Sequence, residues 1–570
     1  MTSAIVSGGA KASLETLADD FWEFRVSEHP PEATLAGEAR FNGQLGGVSI
    51  ADYERRSATS VAMLERASAI DASGLDAGDS LTLSLLIGQL ENIHDAHRLF
   101  DHLTPQLLPI GFAQIPPYLV GATPLQTLGD FENLIARLND VPRYFDAHLE
   151  RMTIGMARGF RVPRVLAARI CGLTEAELAP SGIAAAVRAR FDNCPPSLNP
   201  EILKELRRVA DTALQDAVLP AYRKVLDFYE GNTEHLYRDS ISACDQPEGR
   251  AYYCFKVRQQ TTTELTPDDI HAIGLSEVAA IRAQLAALIA DSGFGGDVEG
   301  FRKHHDTDAV EPDAESLLAR ASAVAKTIDG KIPQLFGRLP RSTYGLRLIG
   351  IEQSAHRPVA MAQAAPADRS LAGILWLTAL PERCPRHQLL PLSLHEAWPG
   401  HLMQFALAQE MDHLPNFRRR MWHDYNAYVE GWALYCERLG YDLGLYDNPN
   451  DRYGQISFDL WRAARLVVDT GIHWKRWSRE DAIAYMAQNT MLPLAAIEVE
   501  VDRYIAMPAQ ALSYKIGEIA IRNLRERAQT QLGDTFSLRD FHDAVLATGA
   551  VSLSALEQVI LRWIDGASIR

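Results

Sequence analysis

"LSLHEAWPGHLMQ", residues 392–404, is the stretch on which the reading of this chain turns. His395-Glu396 opens like the metal-binding pattern H-E-x-x-H. There, two imidazoles sit at i and i+4 on one helical face, and the glutamate between them activates the metal's water. Here the second histidine, His401, comes six positions after His395. Six positions on a regular helix turn the chain by about 240°, so two such imidazoles point apart. Pro399 and Gly400 lie between them. Pro399 removes the backbone N–H that would bond the His395 carbonyl. Gly400 accepts backbone angles that other residues avoid. The pair opens or bulges the helix and can return His401 to the side of His395. Spacing alone leaves two readings: a metal site, or two helix-end histidines.

A zinc hydrolase needs three protein ligands and an open position for water. Downstream lies "DHLPNFRRRMWHDYNAYVEGWALYCERLGYDLG", of which residues 424–439 read as a largely apolar helix closed by Gly440. Glu430 and Glu437 stand seven apart in it, on one face. Tyr428, Val429, Trp432 and Leu434 surround Glu430. A carboxylate in such company needs a partner, and a metal is a good one. Gly431 costs about 1 kcal/mol of helix stability relative to Ala and permits close backbone approach. Glu430 is the expected third ligand. Glu437 is either a group behind the ligands or an ordinary ion-pair partner.

"FDLWRAARLVVDTGIHWKRW", residues 458–477, carries a narrow polar stripe on an apolar helix. Asp469 and His473 project within about 20° of Arg462, and Arg465 about 60° away. Such a helix is mostly buried, with its charges aimed at each other or at a cavity. Asp469 can orient His473 one turn on. His473 then donates to substrate or to a developing oxyanion, or the Arg–Asp–His set only fixes packing. Arg462 and Arg465 are candidate substrate-binding residues. In "EVDRYIAMPAQALSYKIGEIAIRNLRERA", residues 500–528, Arg503, Tyr504, Gln510, Tyr514 and Lys515 cluster around Pro508. Tyr514 is the candidate oxyanion donor and Tyr504 a second tyrosine suited to that role. Tyr504 and Gln510 are candidate substrate contacts, with helix-end packing as the alternative for all of them.

The rest of the chain reads as helix. Expected starts are Ser13 with Glu15 close behind it, and Thr266 before Pro267 and two acids. Strand-like sequence is confined to about residues 344–380, in "LRLIGIE" and "LAGILWLT". It lends itself either to substrate pairing or to a structural hairpin. The expected fold is mostly α, with a small sheet next to the histidine segment, an N-terminal helical part over 1–240 and a catalytic part over 241–570. No run of about 18 apolar residues suggests a membrane span, and the N-terminus lacks a secretory pattern. Six scattered cysteines argue for buried thiols in a reducing cytoplasm. A net charge of −17 disfavours nucleic acid or an anionic membrane as partner. The one basic run, Arg418 to Arg420, reads as a solvated helix face.

From about residue 15 to 565 the chain resembles the DUF885 family of bacterial proteins. The resemblance rests on "HEAWPGH", "YVEGWALYCERLG", "RAARLVVDTGIH", "RYIAMPAQALSYKIG" and "LRDFHDAV", and on the upstream "GRAYYCFKVRQQTTTELTPDDIHAIGLSEV", which stand along the chain in that family's order. It implies a helical relative of the gluzincin-type metallopeptidases, with one Zn2+ on His395, His401 and Glu430 and with Glu396 as general base. Two departures stand out. Leu402 occupies a position where the family usually has a second histidine. "AAPADRSLAGILWLT" replaces the usual Gly-rich run before the strand. The expected reaction is zinc-assisted hydrolysis of an amide in a short peptide or small metabolite, with His473 or Tyr514 on the oxyanion. Two alternatives stay open: a non-haem Fe(II) site on the same ligands, and a non-catalytic metal- or peptide-binding groove.

Overall fold

The computed structural model describes residues 2–568, apart from 105, 106, 109, 232, 297, 309, 355, 356, 367, 368 and 370. The chain is mostly helical, with a small three-stranded sheet. It falls into two units: residues up to Phe255 together with Asp502–Pro508, and Lys256–Val501 together with residues from Ala509 on. The division therefore comes after Phe255, later than residue 240, and a short downstream segment joins the first unit.

The first unit is built on long helices, among them Thr2–Glu28, Ile50–Ser68, Ala77–Arg98 and Leu128–Ala157. Ser49 with Asp52, and Thr127 with Asp130, form reciprocal caps that satisfy the free N–H groups at two helix starts. Ser13 is not a cap, because the first helix begins upstream; its hydroxyl donates to the Gly9 carbonyl within that helix. A two-residue parallel ladder, Val162–Pro163 against Tyr237–Arg238, is too short to leave a pattern in the sequence.

The second unit carries the histidine segment. Its helices used below are α1 (Pro267–Asp291), α2 (Arg386–Glu396), α3 (His401–Gln409), α4 (Asn426–Asp442), α5 (Pro449–His473), α6 (Ser513–Leu532), α7 (Leu538–Leu546) and α8 (Leu553–Ser568). Its strands are β1 (Tyr344–Leu348), β2 (Ala360–Gln363) and β3 (Gly373–Leu377). Thr266 caps α1 reciprocally with Asp269. β3 is central: β1 runs parallel to it and β2 antiparallel. Along β3, buried Gly373, Leu375 and Leu377 alternate with half-buried Ile374 and Trp376. The buried face packs on Leu389 and Leu392 of α2 and Leu402 of α3. Leu402, the position of the first departure, is thus a core residue between sheet and helix. The second departure falls partly outside the described residues, since 367, 368 and 370 belong to it.

Three glycines set how closely these helices approach. A side chain at Gly274 of α1 would collide with Leu466 and Val467 of α5. At Gly454 of α5 it would collide with the His387 carbonyl of α2. That carbonyl is the one Pro391 leaves without its intrahelical N–H, so a Cα–H of glycine approaches an acceptor the helix cannot satisfy. At Gly431 of α4 it would strike the Gly517 backbone of α6. α4 and α6 therefore cross backbone to backbone.

Several expectations need correction. α1 is long and apolar enough to cross a membrane by length and composition. Here its Ile270, Gly274, Val278 and Ile281 are buried, on the side packed against α5. Arg418 is no solvated residue: it is 1% exposed and donates to the Thr548 carbonyl. Three cysteines are buried, two are half-buried and Cys254 is exposed; none of the six is in a disulfide among the described residues. α4 runs through Gly440 to Asp442, and Gly440 makes room for the Tyr446 ring instead of ending the helix.

Candidate metal centre

The histidine segment is two helices: of the two expected outcomes, the chain opens and does not bulge. α2 ends at Glu396, Ala397–Gly400 turn the chain, and α3 starts at His401. Pro399 withholds the N–H that would have continued α2. Gly400 then passes so close to the His395 carbonyl that no side chain fits there. The Trp432 indole N–H of α4 donates to the Pro399 carbonyl at 2.9 Å and ties the turn to the next helix.

This break brings the two imidazoles together. Their ring centres are 4.9 Å apart and the planes perpendicular. Glu430 Oε2 lies 3.3 Å from His401 Nε2 and 3.7 Å from His395 Nε2. One donor atom from each of the three residues falls within 4.8 Å of the others. Donors at 2.0–2.1 Å from a tetrahedral ion stand about 3.3–3.4 Å apart. The carboxylate–imidazole distances fit that spacing, so the residues suit a zinc-sized divalent ion.

Behind His395, its Nδ1–H donates to Glu437 Oε1 at 2.8 Å. Glu437 is fully buried two turns after Glu430 on α4. Its carboxylate fixes the tautomer, leaving the Nε2 lone pair on the side of Glu430. Glu437 thus stands behind His395, on the side away from Glu430 and His401. Burial pushes the His395 imidazole down, but hydrogen bonds to Glu430 and Glu437 and the nearby carboxylate charges raise it to about 9. Burial pushes the Glu430 carboxyl up, and the two histidines outweigh it, holding the group well below the usual range. His401 stacks on Phe405 at 5.5 Å, and Phe405 on Trp422 at 4.3 Å.

Glu396 is half-buried and makes no hydrogen bond or ion pair with any described residue. On α6 the Tyr514 ring lies 6.5 Å from the His395 ring, and Arg465 sits 4.6 Å above it. The Gly431–Gly517 crossing delivers Tyr514, three residues before Gly517 and on its face of the helix. Arg465 pairs with Glu500 at 2.8 Å, and Arg462 stands 3.7 Å from Glu437. Gln510 is half-buried in the turn that leads into α6.

Two predicted members of the second unit, Asp469 and His473, lie apart from this group. Both Asp469 oxygens accept the Ala509 N–H at 3.1 Å, so the carboxylate pins the turn before α6. His473 ends α5, fully buried, about 12 Å along the axis beyond Arg465. That separation weighs against its reaching an oxyanion beside His395. Tyr504 belongs to the first unit, with Asp502 and Arg503.

Sequence reasoning missed a buried charge cluster that anchors α6. Lys515 Nζ lies 2.6 Å from Asp459, 3.0 Å from Glu518 and 3.1 Å from Glu277. Arg438 and Arg522 complete it, at 3.1 Å from Asp459 and 3.3 Å from Glu277. Asp459 sits on the polar stripe one turn before Arg462, which was the available signal. Glu277 comes from α1 and had none.

A family model described as "Bacterial protein of unknown function (DUF885)" matches residues 30–560. The crystal structure of a protein from Colwellia psychrerythraea, described as a "putative lipoprotein", superposes with a TM-score of 0.90 at 27% identity, covering 98% of this chain and 99% of that one. A lipoprotein of unknown function from Shewanella oneidensis, given the same qualifier, has a TM-score of 0.74 at 17% identity over 96% and 99% of the two chains, a likeness of fold alone. No curated protein matches.

Proposed function

We propose that this chain, which belongs to the DUF885 family, is a metal-dependent hydrolase of amide bonds in short peptides or small amide-bearing metabolites. The observation that carries this reading is the convergence of His395, His401 and Glu430, with donor atoms within 4.8 Å. Glu396 beside the first histidine favours hydrolysis over oxygen chemistry, which has no use for that base.

His395, His401 and Glu430 would hold Zn2+, which supplies a Lewis acid and a water of lowered pKa. Glu437 holds the Nδ1 proton of His395 and so keeps its Nε2 available as a ligand. Glu396 takes the proton of the attacking water and returns it to the leaving amine. Its carboxylate is free for this, with no hydrogen bond or ion pair to a described residue. The Tyr514 hydroxyl is the donor to the carbonyl oxygen as charge develops there. Arg465, over the Tyr514 ring, holds that ring in place through a cation–π contact.

The test is a panel of peptides and N-acyl amino acids, incubated with metal-loaded wild type and E396Q, with and without chelator. E396Q should keep the metal and lose hydrolysis. Full activity of E396Q on a substrate that wild type cleaves in a metal-dependent way would refute the assignment. Stoichiometric iron in the purified protein would point instead to oxygen chemistry on the same three ligands.

A further inference from the structure

We infer that Arg462 anchors a substrate's terminal carboxylate, so that the hydrolase proposed above works at the carboxyl end of short chains. The inference rests on that reading for the position of the bond cleaved. Arg462 is 6% exposed, and its Nε and Nη1 are buried without a hydrogen-bond partner among the described residues. Its Nη2 stands 3.7 Å from Glu437 Oε1, beyond hydrogen-bond reach. A guanidinium with five donors is thus almost fully desolvated, with no direct hydrogen bond to any described residue. Buried charges are ordinarily hydrogen-bonded, because leaving one otherwise is costly.

The neighbours do not account for it. Glu437 Oε1 is already engaged by His395, and Glu437 Oε2 is buried and bonds no described residue, Arg462 included. Trp461 and Phe458 cover the guanidinium at 4.2 Å and 4.6 Å, holding its plane and supplying no acceptor. Arg465, one turn on, is committed to Glu500 and to the Tyr514 ring. What remains is a fixed, planar fork of donors, which matches a carboxylate in two parallel hydrogen bonds.

Position then sets the substrate's length. Nη2 is 3.7 Å from Glu437 Oε1, which is 2.8 Å from His395 Nδ1. Adding about 4 Å for the imidazole and a metal–nitrogen bond puts the reacting carbonyl's neighbourhood no more than about 11 Å away. An extended chain covers about 3.3–3.6 Å per residue. A carboxylate on Arg462 therefore places the cleaved bond within about three residues of the terminus.

The test compares tripeptides and N-acyl amino acids, each as free acid and as C-terminal amide, with zinc-loaded wild type, R462K and R462Q. Zinc content is measured on every preparation, because Arg462 neighbours Glu437. Free acids should be cleaved with kcat/KM at least about tenfold above their amides, one bidentate charge-assisted contact's worth. The ratio should fall toward one in R462Q and be partly kept in R462K. A wild-type ratio near one, which needs no variant to fold, overturns the inference and leaves the hydrolase reading standing. So does a ratio that survives in R462Q. Amides ending in glutamate, cleaved as fast as the free acids, would overturn it too by moving the anchored group to a side chain. No metal-dependent cleavage anywhere in the panel brings down the hydrolase reading, and this inference with it.

Discussion

Replacing Glu437 by glutamine removes one charge from behind His395 and almost nothing else. The amide has the carboxylate's shape and can still accept the Nδ1 proton. The lost charge sits 2.8 Å from that nitrogen and is fully buried, so no solvent screens it. Partners of this kind behind a ligating histidine are worth about 10–100-fold in metal affinity, or about 1.4–2.7 kcal/mol. A second effect has its own signature. In the metal-free chain the His395 imidazole is raised to about 9, against the pull of burial, by Glu430 and Glu437. Near neutrality a proton therefore occupies the site and must leave when metal enters. Wild-type affinity should rise with pH, up to about tenfold per unit, and level off near pH 9. E437Q should level off at a lower pH and at a weaker affinity. Competition against a fluorescent chelator, from about pH 6 to about pH 10, reads both quantities. Equal plateaus and equal breaks in the two proteins would refute the role assigned to Glu437.

Three further outcomes follow from the packing. G400A puts a methyl group into the His395 carbonyl; its metal affinity should fall at least about 100-fold while the fold survives, read by the same competition and by circular dichroism. K515M takes the central, fully buried ammonium from among Asp459, Glu518 and Glu277, leaving only Arg438 and Arg522 at the cluster's edge. It should cost about 3–5 kcal/mol, with the loss in thermal stability shrinking as pH falls and the carboxylates protonate. His542 is fully buried, donates from Nδ1 to the Leu335 carbonyl and accepts from the Tyr435 hydroxyl. Burial above all holds its imidazole down, to about 3. The folded value lies below the unfolded one of about 6.5, so its contribution is complete above about pH 6.5 and is lost as pH falls toward 3, by about 1.4 kcal/mol per unit. H542N should flatten the acid side of the thermal-stability profile; an unchanged slope would count against the buried neutral state.

What could be read from the chain itself was whatever depends on residue type and local spacing. Periodicity marked the helices, and its apolar surroundings singled out Glu430, about one turn into α4. Pro399 and Gly400 announced a break between the histidines, and left open whether the helix would part or bulge; it parts into two. Gly431 announced a close approach without naming Gly517 as its partner. Asp469 and His473 show the limit. On a helical wheel they share a direction with Arg462, but a wheel discards distance along the axis. At 1.5 Å per residue, the same face reaches from the neighbourhood of Glu437 to a different end of the unit.

The sequence by itself determined a helical protein with a small sheet and a set of metal-binding residue types, because helix period, proline and glycine act within a few residues. Only the tertiary structure decided which of them meet. Glu437 turned out to hold His395, Lys515 to gather carboxylates from three helices, and Arg462 to lie near the centre with no hydrogen bond to a described residue. Those outcomes depend on where helices cross, and the crossings are set by side-chain volumes and glycine contacts between segments far apart in the chain, which no local pattern records.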